Sequence, residues 1–271
     1  VSTSTRAGAL IRAAHIEPTI AVTVLTALLA RACGLGAERL ALVTAAVFCG
    51  QLVIGWSNDL LDAGRDSSVH RGDKPLANGE VTPKAVAIAA GFAAAPAVGL
   101  SAALGWRSAL VHLVLVVGSG LAYNLGLKAT AWSWLPYVVA FGSLPAVVSL
   151  AASPPGPPVA WVAAASAALG VAAHFLNTLP DLVDDESTGI RGLPHRIGGQ
   201  RSQALAAVLL LAASVGIVMG PPGTPAPVFW AGLLIAAVLA VGALTGRGRT
   251  PFRCGVAIAG VDVILLALAA T

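Results

Sequence analysis

Charge is what this sequence most lacks. Only 10% of its 271 residues are Asp, Glu, Lys or Arg, whereas a soluble domain carries about 25%. So few charges cannot solvate a globule of this length, which argues against an ordinary soluble domain. Cysteine is also scarce: Cys33, Cys49 and Cys254 form no C-x-x-C pair, so neither a disulfide framework nor a cysteine zinc site is indicated. The apolar runs lack the two-residue alternation of a membrane β-barrel.

What remains is hydrocarbon. Mean hydropathy is +0.84 and 57% of residues are hydrophobic. Nine apolar runs occur, at roughly 13–30, 40–57, 84–104, 108–127, 132–151, 158–178, 203–220, 226–245 and 252–270. A membrane helix needs about 20 such residues. The expected fold is therefore an all-α, polytopic membrane bundle of nine transmembrane helices with a cytoplasm-side cap over a central cavity, forming one domain over residues 1–271. Basic residues precede the first run without a small-residue cleavage site, which predicts a first membrane helix and not a removable leader.

The sequence pI of 9.3 reads as topology, with no nucleic-acid partner. With the N-terminus in the cytoplasm, thirteen of the 16 Lys and Arg residues fall on the inner side. Only Arg31, Arg39 and Arg107 fall outside. This positive-inside bias predicts an integral protein of a bacterial plasma membrane with its C-terminus outside.

Nine of the twelve acids lie in two inner segments. SNDLLDAGRD follows the second run and NTLPDLVDD the sixth. Asn58, Asp62 and Asp66 are spaced i, i+4, i+8, which puts them on one face if the helix continues. Asn177, Asp181 and Asp185 repeat that spacing 119 residues later, and RGDKPL and RGLPH follow in turn. Two weakly related halves would bring both clusters to one cavity on the cytoplasmic side.

Carboxylates at a membrane boundary cost free energy, and like charges one turn apart repel. Divalent cations between them remove both costs. Hard oxygen ligands with room for phosphate suit Mg²⁺, which takes one or two carboxylates plus substrate phosphate and water. Arg71, Lys74, Arg191 and Arg196 are placed to neutralise a diphosphate, and the apolar helices to hold its tail.

NDLLDAGRD resembles the N-D-x-x-D-x-x-x-D motif of the UbiA superfamily of intramembrane prenyltransferases. DLVDD is similar to that family's second motif, and YNLGLK resembles its Y-x-x-x-x-K pattern at Tyr123 and Lys128. The resemblance covers nearly the whole chain. It implies two Mg²⁺ ions holding an isoprenyl diphosphate, and transfer of the prenyl group to a small acceptor, usually aromatic or a quinone precursor. It assigns Asp59, Asp62 and Asp66 to one ion and Asp181 and Asp185 to the other, with Asp184 supporting either. Lys128, Tyr123 and Arg196 are the expected catalytic residues. Asn58, Lys74, Arg71, Arg191 and Asn177 are expected to bind the diphosphate.

Competing readings stand beside these. A membrane terpene cyclase on the same scaffold would use the diphosphate alone; the intact first motif favours transfer. A transporter would place its acids mid-membrane, not at two ends on one side. Asp73 and Glu80 fall outside the periodicity and read as solvated. Arg12 and His15 are further candidates near the diphosphate or acceptor. His112 and His174 read as packing groups. Asp262, a lone acid in the ninth run, fits a structural hydrogen bond or a functional site.

Overall fold

The computed structural model describes residues 6–68, 72 and 74–269, and all of its regular structure is helical. The chain runs α1 (Arg6–Ala13), α2 (Ile16–Ala32), α3 (Ala37–Ser68) and α4 (Pro83–Ala103). Next come α5 (Trp106–Leu110), a π-helical stretch (Val111–Val117) and α6 (Gly118–Asn124), then α7 (Leu135–Leu150) and α8 (Ala160–Thr178). The short α9 (Leu182–Ser187) and α10 (Leu193–Ile197) precede α11 (Gly199–Met219), α12 (Pro227–Thr245) and α13 (Thr250–Ala269).

Seven described helical stretches are long and apolar enough to cross a membrane, among them the joined Trp106–Asn124. An eighth arises if α1 and α2, bent by 63°, are one span. The run at 132–151 yields α7, an apolar helix of 16 residues. Its start is trimmed because Trp132 and Trp134 lie in the turns that follow Lys128.

The bundle is inverted relative to a soluble protein. Phe92, Leu234 and Val238 are 78%, 66% and 66% exposed, an apolar exterior suited to lipid. Inside, Phe175, Leu176, Leu210 and Ile258 pack with the alanines of α12. Small residues at the contacts let helix backbones approach closely. Gly55 is one such point: a Cβ there would collide with the Ala14 carbonyl at the α1–α2 bend. Trp56 donates to the Leu10 carbonyl at 2.9 Å and fastens α1 to the same stretch of α3.

Two features place the acids. Helix α3 continues without a break through Asn58, Asp62 and Asp66 to Ser68, well beyond its apolar run. The second segment is interrupted: α8 stops at Thr178, Leu179–Asp181 forms a 3₁₀ turn, and α9 follows. Pro180 sits in that turn, where its missing N–H and ring disfavour a continuous α-helix.

Candidate active site

A cavity of about 290 Å³ opens among these helices. Asn58, Asp62 and Asp66 from α3 line it together with Asn177, Asp181 and Asp185. The i, i+4, i+8 pattern therefore faces one space in both segments, despite the break at Pro180. Lys74, Lys128 and Tyr123 line the same cavity.

The first motif is buried and charge-compensated. Asp59, Asp62 and Asp66 are 1%, 5% and 4% exposed. Lys128 Nζ lies 2.5 and 2.6 Å from the two Asp62 oxygens, and Arg65 pairs with the same carboxylate at 2.7 Å. Lys74 Nζ is 3.0 Å from Asp59 Oδ1 and 4.0 Å from Asp66 Oδ2. Burial pushes the Lys128 amine below its ordinary pKa, against the pull of Asp62. Cations in low dielectric next to carboxylates offset the repulsion along one helix face.

His15 joins this cluster from the bend between α1 and α2. Its Nε2 is 2.9 Å from Lys74 Nζ and 3.5 Å from Asp59 Oδ1. An ammonium only donates, so Nε2 accepts and the proton of the neutral ring sits on Nδ1. The His15 backbone is left-handed, at φ 51° and ψ 55°, a strained state for a residue with a Cβ. Ring contact and backbone strain occur at one residue.

Within the cavity lining, Asn124 donates to the Ile54 carbonyl at 2.9 Å and to Ser57 Oγ at 2.8 Å, and accepts from Asn58 at 3.1 Å. These bonds fix the Asn58 amide. Tyr123, Tyr137 and Phe141 form an aromatic wall: the tyrosine rings meet edge-on at 5.3 Å, and Tyr137 stacks on Phe141 at 6.1 Å.

On the second segment, His195 Nε2 stands 3.6 Å from Asp185 Oδ2. The short α10 that carries it is docked by Ser133, which accepts from the Leu193 N–H at 2.8 Å and pairs with His174 Nε2 at 3.0 Å. A Cβ at Gly192 would strike Ser133 and the Lys128 carbonyl, so this position requires glycine.

Several expected site residues stand elsewhere. Arg191 is 65% exposed and pairs with Glu186 at 2.6 Å. Arg196 is exposed and donates to the Arg191 carbonyl at 2.9 Å. Neither lines the cavity, and Asp184 lies on an exposed face of α9. Asp59 is buried behind the lining and touches it through Lys74 and His15. Arg71 and Asp73 lie outside the described residues. Arg12 pairs with Glu80 on the surface, which gives Glu80 a docking contact. Arg65, Asn124 and His195 are the side chains that sequence reasoning passed over.

Among the described residues, no three His, Cys, Asp or Glu side chains form a ready-made metal cage. The donor set nevertheless fits Mg²⁺, which needs only one or two carboxylates when phosphate and water complete its shell. Asp66, Asp181 and Asp185 offer hard oxygens to the cavity, and Asp59 Oδ2 is buried without a hydrogen-bond partner.

The acids and lysines thus share one cavity inside a helical bundle with an apolar exterior. Residues 19–257 match the model of the UbiA prenyltransferase family, and the chain belongs to that family. Its structure is similar to the apo structure of a UbiA homologue from Aeropyrum pernix K1, with TM-score 0.73, 20% identity, and coverage of 93% of this chain and 98% of that one. It is also similar to a UbiA homologue from Archaeoglobus fulgidus bound to GPP and Mg²⁺ (TM-score 0.70, 16% identity, 96% and 98% coverage). A third similar structure is a digeranylgeranylglyceryl phosphate synthase (TM-score 0.63, 13% identity, 98% of both chains). No curated protein sequence matches significantly.

Proposed function

We propose that this protein is an Mg²⁺-dependent intramembrane prenyltransferase, moving an isoprenyl group from an allylic diphosphate to a small aromatic acceptor. The observation that carries the reading is the convergence of Asp62, Asp66, Asp181 and Asp185 on one cavity with Lys74 and Lys128. Mg²⁺ in the A. fulgidus homologue, bound with GPP, supports the cofactor, and the family model supports the reaction class.

In this reading the chain is one domain of two related halves. The bent α1–α2 pair and α7 complete nine spans, and α9, α10 and the turns at 74–82 cap the acid end on the cytoplasmic side.

Asp62 and Asp66 would hold one ion, with Asp59 beside them, and Asp181 and Asp185 the other, with Asp184 behind. When bound, Mg²⁺ supplies positive charge against the departing diphosphate. Lys128 and Lys74 neutralise carboxylates in the ligand-free arrangement, and their ammonium groups turn to diphosphate oxygens on binding. Asn58 and Asn177 orient the diphosphate, with Asn58 held by Asn124. Tyr123 presents its ring to the allylic carbon, where a π-face stabilises developing positive charge. Arg191 and Arg196 attract the anionic substrate from the rim. The apolar wall excludes water, which would otherwise capture the allylic cation.

The test is purified protein with Mg²⁺ and a labelled allylic diphosphate, with and without candidate aromatic acceptors. Acceptor-dependent prenylated product supports the reading. A cyclic hydrocarbon formed without acceptor would assign the cyclase reaction instead.

A further inference from the structure

The deep part of the cavity carries a group that the proposed reaction leaves unused. Asp262 lines it and is 1% exposed. Neither carboxylate oxygen has a hydrogen-bond partner among the described residues. Ser214 on α11 is its polar neighbour, but the Ser214 hydroxyl donates to the Leu210 carbonyl at 3.2 Å. A buried carboxyl that its own protein leaves unpaired is costly, and it borders a ligand space.

Its depth can be read from the helices. Arg249 and Arg253 hold Glu17 at 3.0 and 2.8 Å, so the start of α13 lies beside the start of α2. His15, just before α2, contacts Asp59 and Lys74, which makes this the acid end. From Arg253, Asp262 is nine residues further along α13, about 13 Å away at 1.5 Å per residue. The lining at this depth includes Val162, Leu29, Val263 and Leu266, with Ser166 and Thr26 among its polar members. A tail anchored by its diphosphate at the acids and running down the cavity would reach Asp262 only if it were long enough.

We propose that Asp262 is a length selector, a polar point deep in the cavity wall that sets how many isoprene units the cavity accepts. This rests on the prenyl-transfer reading above. A hydrocarbon tip that stops short leaves the carboxyl free to turn toward the Ser214 and Ser166 hydroxyls. A longer tail presses methyl groups onto the carboxyl and removes those partners while offering none. The penalty falls only on donors long enough to reach it. Polarity, and not lack of space, does the selecting.

That distinction fixes the test. Asp262→Leu removes the polarity without creating space, whereas Asp262→Asn keeps it. Each variant is first shown to be monodisperse in detergent, and kcat/KM is then measured for C10, C15 and C20 allylic diphosphates. The expected result is that Leu raises the ratio of the longest to the shortest donor about tenfold, the scale of one unsatisfied buried polar group. Asn should move it by less than about threefold on the same scale. An unchanged ratio in Asp262→Leu, an equal shift in both variants, or equal loss with every donor would overturn the proposal. Failure of the transferase reading looks different, because the wild type would then form no acceptor-dependent prenylated product with any donor, whether or not diphosphate is released.

Discussion

Lys128 contacts both oxygens of Asp62 from 66 residues away in the chain. This contact closes the acid end of α3 against the turn after α6. It also makes the two residues answer differently to mutation. Removing one charge of a buried pair leaves the other uncompensated, which costs about 3 kcal/mol or more. Asp62→Ala should therefore lose both turnover and stability, while Asp62→Ala with Lys128→Ala should regain most of the stability and none of the turnover. Thermal unfolding in detergent, combined as a double-mutant cycle, measures this. Additive losses of stability would show that the pair is not coupled.

His15 gives a second contrast. Its left-handed backbone favours glycine, and its ring holds Lys74. His15→Gly should be more stable than His15→Ala by about 1 kcal/mol, while both lose activity to a similar degree. Comparing unfolding midpoints with diphosphate release separates backbone from ring. If Ala proves the more stable variant, the backbone assignment is wrong.

Gly55 tests the α1–α2 bend. A side chain there must displace the Ala14 carbonyl, and backbone cannot yield as a flexible side chain does. Gly55→Val should destabilise the protein by roughly 2–3 kcal/mol and lower activity through His15, which follows Ala14. Equal stability of variant and wild type would show that the contact is not needed.

The acid faces were legible because a helix repeats every 3.6 residues, so Asn58, Asp62 and Asp66 declared a common side. The spacing does not reveal the break at Pro180, yet Asn177, Asp181 and Asp185 still line the cavity. Spacing says nothing about where a loop side chain points. Arg191 and Arg196 lie beside the second motif in sequence and turn outward in space. Arg65 was counted only as a topological charge, although one helical turn from Asp62 suffices to pair them. Asn124 is a single polar residue whose partners lie 66–70 residues away, and His195 stands in RGLPH with no signal that it meets Asp185. The membrane runs were readable from length and hydropathy; the π-helical stretch at 111–117 was not, because it leaves composition unchanged.

Lys128 also has a predicted kinetic signature. If its ammonium moves from Asp62 to the leaving diphosphate, Lys128→Met should lower kcat by about 100-fold or more, the scale of losing one preorganised charge donor. A rise in KM alone, with kcat intact, would limit Lys128 to substrate capture.

The most direct test of a shared diphosphate site is binding without turnover. A non-reactive allylic thio-diphosphate is titrated into wild type, Asp66→Ala and Asp181→Ala, with Mg²⁺ and with chelator. The two acids come from different halves of the chain but line one cavity. Saturable, Mg²⁺-dependent binding to wild type, weakened about 100-fold in each variant as expected for lost metal ligation, is the predicted result. Full affinity in either variant, or binding indifferent to Mg²⁺, would contradict a diphosphate held between the two acid segments.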